Sequence, residues 1–127
     1  MKRAQIVLFG DSITQQSFRR NGWGACIADR FQKRADLINR GVSGWNTNNF
    51  LRYASSDDGK EDLFDHDNVK LVTIFFGAND ACHAELNKHV PLEMYKSNIK
   101  EIVKLVKSNF GQNVKIILIS PPPVWMS

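Results

Sequence analysis

The sequence predicts an α/β fold built on a parallel β-sheet. Short apolar runs rich in β-branched and aromatic residues alternate along the chain with segments of helical periodicity. Runs such as "LVTIFF" and "IILI" are apolar at consecutive positions, which is typical of strands covered by helices on both faces. At 127 residues the chain is long enough for one hydrophobic core, so we expect a single domain.

Four strands are predicted because each apolar run is short and ends in turn-forming residues. They are expected at residues 4–9, 37–39, 69–76 and 114–120. Alternation of these strands with helices requires right-handed crossovers between parallel neighbours.

Two helices are predicted from their periodicity. Trp23, Ile27 and Phe31 recur every four residues, which predicts a helix over residues 22–35. A second helix is expected from Pro91, which suits a first helical turn, to Gly111, which can end it. Between the second and third strands, the acidic stretch "SSDDGKEDLFDHDN" at residues 55–68 is interpreted as a solvated loop. It lacks the terminal glutamate of a calcium-binding loop.

Charge and cysteine content exclude several classes of function. The formal net charge is +4, but the lysines at 96, 100, 104 and 107 share one helix face without interleaved aromatic residues. We therefore expect a solvated face and no nucleic-acid partner.

The only cysteines, Cys26 and Cys82, have no zinc or disulfide spacing and are expected to be free thiols, as in a reducing compartment. The apolar run before Gly10 is too short for a signal peptide or a membrane span, so we expect a cytoplasmic protein.

Polar motifs follow three of the predicted strands. Ser12 follows the first strand in "LFGDSITQ", Gly44 follows the second in "NRGVSGWNT", and Asn79 follows the third in "TIFFGANDA". Because ligands of open parallel sheets bind beyond the carboxyl ends of the strands, we expect these three residues to meet at one edge.

The three residues have complementary chemistry. A serine hydroxyl becomes a nucleophile when a base takes its proton and the resulting oxyanion is stabilised. The backbone N–H groups of Ser12 and Gly44 and the side-chain amide of Asn79 are suitable oxyanion donors. Each motif alone has a structural alternative: a capped helix start, a turn glycine, or an asparagine that satisfies a loop. Their occurrence at successive strand ends favours a catalytic site.

These motifs resemble those of the SGNH-hydrolase superfamily, the GDSL esterases and lipases. The first signature is present as Gly10-Asp11-Ser12-Ile13, the second falls on Gly44, and the third is Gly77-Ala78-Asn79-Asp80. The wider phrases, including "NGWGACIADRF", most closely resemble isoamyl acetate-hydrolysing esterases. The resemblance covers nearly the whole chain.

The resemblance implies a three-layer, flavodoxin-like α/β/α sandwich that hydrolyses carboxylic esters through an acyl-serine intermediate. Ser12 would be the nucleophile, with Ser12, Gly44 and Asn79 as oxyanion donors. Short acyl esters of small alcohols would be the substrates, with acyl transfer to another alcohol as an alternative. No metal or organic cofactor is implied. Ser43 in "GVSGW" is a rival nucleophile, but Trp45 stands where a nucleophile elbow requires glycine.

The sequence departs from the family pattern at its C-terminal side. The family's Asp-x-x-His signature, which supplies the catalytic base near the C-terminus, does not occur after the last predicted strand. His83, four residues after Asn79, is the one histidine that is a candidate to replace this catalytic base. His66 and His89 are interpreted as loop and pre-helix residues.

We therefore expect the N-terminal portion of one SGNH-hydrolase domain, without its last strand and C-terminal helix. A fragment, a splice product and an incomplete gene model are all compatible with this expectation. In the strand order 2-1-3-4-5, a fifth strand would cover the fourth, so "KIILIS" should form an exposed apolar edge. A non-catalytic remnant that binds acyl ligands or a protein partner is the alternative function. A flavodoxin-like phosphate-binding module is disfavoured because no G-x-G-x-x-G or Walker loop is present.

Overall fold

The computed structural model of the protein describes residues 2–122. In chain order its elements are β1 (Ala4–Gly10), α1 (Ser12–Gln15), a 3₁₀ turn (Gln16–Phe18), α2 (Trp23–Arg30), β2 (Ala35–Gly41), α3 (Thr47–Ala54), α4 (Asp57–Phe64), β3 (Val69–Phe75), α5 (Leu92–Phe110) and β4 (Lys115–Leu118). The single domain expected from the sequence extends to residue 127, so its last five residues lie outside the described part.

The four strands form one parallel sheet in the order β2-β1-β3-β4. This confirms the α/β class and the flavodoxin-like order of the first four strands. Gly10 at the end of β1 pairs with Gly41 of β2 and Phe75 of β3, so the carboxyl ends of these three strands align. Loops that follow the three strands therefore start from one edge of the sheet.

Helices cover both faces of the sheet. Two helices, α1 and α2, contact β2, whereas α3, α4 and α5 contact one another. The first crossover runs from β1 to β2, and the next two run in the opposite direction along the sheet, to β3 and β4. Because such crossovers are right-handed, the two groups of helices lie on opposite faces. Beneath α3 the core is aromatic: the ring of Phe50 lies 5.0 Å from Phe9 and 5.4 Å from Phe76, and all three side chains are fully buried.

The prediction of a solvated loop over residues 55–68 is wrong, because α4 occupies its centre. Ser56 caps this helix by accepting a hydrogen bond from the Gly59 N–H at 3.0 Å. Asp57 and Asp58 lie in the first turn, where negative charge is favourable, and the helix ends in buried Leu63 and Phe64. The acidic residues are thus the exposed first turn of a half-buried helix.

The sequence analysis also missed α3, which follows the Gly44 loop directly. Asn46 and Asn49 form a reciprocal capping box at its start. Phe50 and Ala54, four residues apart, are buried against the sheet. The signal was present in "NTNNFLRYA" as a cap followed by this spacing.

The first predicted helix is shorter than expected. It ends at Arg30, and Lys33 adopts the left-handed conformation with φ of 67°, which turns the chain into β2. Residues 31–34 are thus a turn, and β2 extends beyond the predicted 37–39 to pair with β1 over seven positions. The second predicted helix ends as expected, with Gly111 at φ of 103°.

Strand β4 lies at one edge of the described sheet and pairs with β3 only. It is shorter than the predicted 114–120. Ile117 and Leu118 are 48% and 55% exposed, as expected for an apolar strand with one neighbour.

Candidate active site

Ser12 is the first residue of α1, immediately beyond the buried end of β1. Asp11 caps this helix by accepting a hydrogen bond from the Ile13 N–H at 3.0 Å. A Cβ atom on Gly10 would lie 2.1 Å from Thr14 Oγ1 and 2.8 Å from the Phe75 carbonyl oxygen. Glycine at position 10 therefore lets α1 start directly against the strand ends, which holds Ser12 at the edge of the sheet.

Strand β2 also holds α1 in place, through Asn39 and Gly41. The Asn39 side-chain amide donates to the carbonyl oxygens of Thr14 at 3.0 Å and Gln15 at 3.2 Å. A Cβ atom on Gly41 would lie 2.3 Å from the Gln15 nitrogen, so only glycine fits this approach. These contacts fix the short helix that carries Ser12.

Gly44 lies in a tight turn after β2. The Val42 N–H donates to the Gly10 carbonyl oxygen at 3.0 Å, and the Trp45 N–H donates to Val42 at 3.2 Å. Gly44 itself has φ of 83°, a conformation that other residues rarely adopt. The turn therefore runs beside the segment between β1 and α1. The neighbouring Ser43, the rival nucleophile, is exposed, and its N–H donates to the Gln15 side chain.

Asn79 lies in the turn that follows β3. Gly77, at φ of 140°, starts this turn, and the Ala81 N–H donates to its carbonyl oxygen at 2.8 Å. The Asn79 side-chain nitrogen donates to the Trp45 carbonyl oxygen at 2.8 Å. This bond connects the Asn79 turn to the residue that follows Gly44.

The next residue, Asp80, makes a second connection. Its carboxylate is 2% exposed and accepts hydrogen bonds from Thr47 N at 3.0 Å and Thr47 Oγ1 at 2.6 Å. Asp80 belongs to the third motif, but its sequence position predicts no role for it. The signal that it contacts Thr47 was not in the sequence, because the two residues are 33 positions apart.

Together these contacts bring the predicted residues to one edge. Ser12 follows β1, Gly44 follows the neighbouring β2, and Asn79 follows β3 on the other side of β1. The roles of all three remain predictions. Among the described residues, no hydrogen bond uses the backbone N–H of Ser12 or of Gly44.

Buried carboxyl groups surround this edge. Burial raises the pKa of Asp11, and the negative charge of Asp80 raises it further. Burial also raises the pKa of Tyr95, again with a contribution from Asp80. The Tyr95 hydroxyl donates to the Phe76 carbonyl oxygen at 2.7 Å, directly before Gly77. Burial therefore disfavours negative charge on both the Asp11 carboxyl and the Tyr95 hydroxyl.

A cavity of about 220 Å³ lies beside the Asn79 turn. Gly77, Asp80 and His89 line it, together with apolar side chains that include Val90 and Tyr95. The ring of His89 is held through Nδ1, 2.7 Å from the Cys82 carbonyl oxygen. His89 lies before α5, as its interpretation as a pre-helix residue requires, and its place at a cavity has no signal in the sequence.

The other two histidines lie in different surroundings. The His83 side chain is 59% exposed and its Nδ1 accepts a hydrogen bond from the Glu85 N–H at 3.4 Å. His66 Nε2 lies 2.9 Å from the Asp62 carbonyl oxygen, next to α4. His83 and His89 are thus the two histidines in the loop that carries Asn79.

Trp23 and Trp45, the two tryptophans near the motifs, both pack against other aromatic side chains. Trp45 packs 5.4 Å from Tyr53 and 6.3 Å from Phe50, and Trp23 packs 6.4 Å from Phe75. These contacts favour a packing role for both tryptophan side chains.

Within residues 2–122 no group of three or more His, Cys, Asp or Glu side chains is arranged to hold a metal ion. No helix in the same part of the chain is long and apolar enough to cross a membrane.

Comparison with known proteins finds one family and one fold. A sequence model described as GDSL-like Lipase/Acylhydrolase matches residues 6–127. A GDSL esterase/lipase of Arabidopsis thaliana is 45% identical over 98% of this chain and 52% of its own length. The isoamyl acetate-hydrolyzing esterase 1 homolog of Mus musculus is 41% identical over 94% of this chain and 48% of its own length.

The chain thus spans about half the length of the curated relatives it matches. Among solved structures, an acetyl xylan esterase superposes with a TM-score of 0.69 at 21% identity, over 90% of this chain and 56% of the other. This structural likeness concerns the fold.

Proposed function

The chain belongs to the GDSL-like lipase/acylhydrolase family, and from this premise we propose that it forms the nucleophile and oxyanion half of a carboxylic ester hydrolase. Ser12 is the nucleophile, and short acyl esters of small alcohols are the substrates. The relatives described as isoamyl acetate-hydrolyzing esterases support this substrate class.

The observation that carries the proposal is a set of uncommitted N–H groups. The backbone N–H groups of Ser12 and Gly44 have no acceptor among residues 2–122. A side-chain amide has two N–H bonds, and Asn79 uses one for the Trp45 carbonyl oxygen, which leaves one for a ligand. One such donor is worth roughly 2.7–4 kcal/mol of transition-state stabilisation in another serine hydrolase.

The reaction follows from these groups. Ser12 Oγ attacks the ester carbonyl carbon as its proton passes to a base, and the oxyanion that forms accepts the three N–H bonds. The bond from carbon to the alcohol oxygen then breaks, and the base returns the proton to the departing alcohol. A water molecule attacks the acyl-serine in the same way and releases the carboxylic acid.

A base is therefore the missing part of the site. The Asp-x-x-His spacing occurs at Asp80 and His83 within the third motif, and no such pair follows β4 in the 127 residues. We propose that the base lies on sequence outside them. His83 and His89 are the alternatives within the chain. His83 is largely exposed, whereas His89 is half-buried and lines the cavity that Asp80 also lines.

Acetate ester turnover by two proteins tests the proposal: the 127-residue chain, and this chain joined to the C-terminal half of the Arabidopsis thaliana relative. We expect hydrolysis of p-nitrophenyl acetate by the joined protein and almost none by the chain alone. Ser12→Ala should abolish turnover, since loss of a triad serine in another enzyme cost about 2 × 10⁶ in kcat. Ser120→Ala, at the corresponding end of β4, is the matched control and should leave turnover unchanged.

Other outcomes have a definite meaning. Equal Ser12-dependent rates in both proteins would show that the base is resident, and His83→Ala and His89→Ala would then identify it. If neither protein reacts with a fluorophosphonate probe although both are folded, the esterase proposal is wrong. The alternative function, a non-catalytic domain that binds acyl ligands or a protein partner, would then be favoured.

Two further expectations accompany the proposed function. A cytoplasmic location is supported by the free thiols of Cys26 and Cys82. Hydrolysis is preferred over acyl transfer, and product analysis with added alcohol would distinguish them: a transferred ester would point to acyl transfer.

A further inference from the structure

Two consecutive residues of the turn after β3 bind the segment that follows Gly44. Asn79 donates to the Trp45 carbonyl oxygen at 2.8 Å, and Asp80 accepts from the nitrogen and the hydroxyl of Thr47 at 3.0 and 2.6 Å. Both bonded pairs are separated by more than 30 positions in sequence. The two turns at the candidate site are therefore connected directly to each other.

We propose that Asp80 is a positioning residue that sets the separation between two oxyanion donors, the Gly44 N–H and the Asn79 side-chain amide. This inference rests on the proposed function, because it concerns the geometry of that same oxyanion site. Asp80 would act through its neighbours and would not touch the substrate.

The chemistry of the contact explains why a carboxylate stands at position 80. Thr47 is the first residue of α3, and its N–H is one of the groups that the helix itself leaves without a partner. Hydrogen bonds to an ionised acceptor are shorter and about twice as strong as neutral ones, which agrees with the 2.6 Å distance to the hydroxyl. Asp80 therefore holds the start of α3 more firmly than a neutral side chain would.

Helix α5 also binds Thr47. The Asn98 side chain of α5 donates to Thr47 Oγ1 at 2.9 Å and to the Asn48 side chain at 2.8 Å. The Thr47 hydroxyl thus accepts from α5 while it donates to Asp80. Rotation of this hydroxyl is restricted on both sides, so the distance between α3 and the turn after β3 is defined by more than one bond.

The two oxyanion donors lie close in sequence to the Thr47–Asp80 contact, so the distance between Thr47 and Asp80 affects their positions. Gly44 lies three residues before Thr47, and Asn79 lies one residue before Asp80. A shift of α3 away from Asp80 would move the Gly44 N–H away from the Asn79 amide. A misplacement of about 1 Å at a catalytic group can cost 10²-fold in rate.

The test compares three single substitutions in whichever of the two proteins described above shows Ser12-dependent turnover. Thr47→Val removes the hydroxyl but keeps side-chain shape, and Thr47→Ser keeps the hydroxyl. Ser56→Ala removes a hydrogen-bonded hydroxyl at the start of α4, away from the site. We expect Thr47→Val to lower kcat by about 10- to 100-fold with KM nearly unchanged, since loss of a whole donor costs about 10²–10³. Thr47→Ser and Ser56→Ala should keep kcat within about twofold of the parent protein.

A double substitution separates positioning from a general loss of stability. If Thr47 and Asp80 act through Asn79, adding Thr47→Val to Asn79→Ala should lower kcat much less than Thr47→Val does alone. Fully additive effects, or an equal loss of kcat in Ser56→Ala, would overturn the proposal. Asp80→Asn, which keeps the side-chain volume and a neutral acceptor oxygen, is the second variant if Thr47→Val does not fold; a smaller loss of kcat is expected, because hydrogen bonds to a neutral oxygen are weaker.

An NMR measurement on the 127-residue chain keeps the inference testable if neither protein turns over an ester. The resonances of the Asn79 side-chain amide and the Gly44 backbone amide should shift in Thr47→Val and stay in place in Ser56→Ala. Unchanged resonances in Thr47→Val would overturn the positioning role. Absent turnover with shifted resonances would instead reject the esterase function and keep the contact.

Discussion

Strands β1 and β4 have similar apolar sequences but very different surroundings. The run Val7, Leu8 and Phe9 in β1 is fully buried, whereas Ile117 and Leu118 in β4 are about half exposed. β1 has a strand on each side, and β4 has a neighbour on one side among the described residues. An apolar run therefore predicts that a strand forms. The position of that strand in the sheet decides how much its burial contributes to stability and which residues surround its carboxyl end.

The carboxyl ends of the two strands differ in the same way. Beyond β1, the chain enters a helix that is fastened by Asn39 and by the close approach of Gly41. Beyond β4, Pro121 borders the cavity next to the Asn79 turn. A polar group held between two neighbouring strands is positioned for chemistry, which agrees with Ser12 standing at the end of the central strand.

The largest effect on stability should come from shortening the same side chain in each strand. Leu8→Ala should lower the free energy of unfolding by about 2–5 kcal/mol because Leu8 is fully buried. Leu118→Ala should change it by about 0.5 kcal/mol or less, as for an exposed position. Denaturant unfolding followed by circular dichroism measures both values. Equal losses would show that β4 is as tightly packed as β1 in solution.

A smaller effect is expected on self-association. The exposed edge of β4 presents unpaired backbone groups and apolar side chains, which favours pairing with another chain. Ile117→Lys should reduce association of the 127-residue chain, measured by sedimentation velocity over a range of concentrations. Lys104→Glu, on the exposed face of α5, controls for a general effect of charge. A chain that is monomeric before the substitution would contradict the expectation.

The smallest effect concerns pH and compares a buried carboxyl with an exposed one. Burial raises the folded-state pKa of Asp11, so protonation favours the folded state and stability falls as pH rises from the unfolded value of 3.8 through the raised value. Asp11→Asn keeps a capping oxygen and should therefore stabilise the protein slightly at neutral pH, with the gain disappearing in acid. Asp67 is the opposite case, since Lys2 lowers its pKa and its contribution is lost as pH falls.

Unfolding curves of Asp11→Asn and Asp67→Asn between pH 3 and 7 measure this difference. The two variants should change stability in opposite directions at neutral pH. A gain for Asp67→Asn would contradict the stabilising contact with Lys2, and a loss for Asp11→Asn at neutral pH would contradict an unfavourable buried carboxylate beside Asp80.

Local sequence was sufficient for the elements whose pattern is repeated or strongly apolar. The four strands were predicted near their observed positions, and α5 was predicted with its end at Gly111. The errors occur where one cap decides the structure. Ser56 starts α4 through one hydrogen-bonded cap, and Asn46 starts α3 through a capping box with Asn49. The first predicted helix ends at Arg30, and the left-handed Lys33 follows in the turn before β2.

For the candidate site, the sequence by itself determined which residues follow each strand, because motif order and the parallel sheet rule are both local to the chain. The sequence therefore predicted that Ser12, Gly44 and Asn79 lie at the same edge of the sheet. Only the tertiary structure decided that Asn79 binds Trp45, that Asp80 binds Thr47, and that His89 faces a cavity. Those contacts join residues far apart in sequence, and their partners are chosen by the packing of α3 and α5 on the sheet rather than by any local pattern.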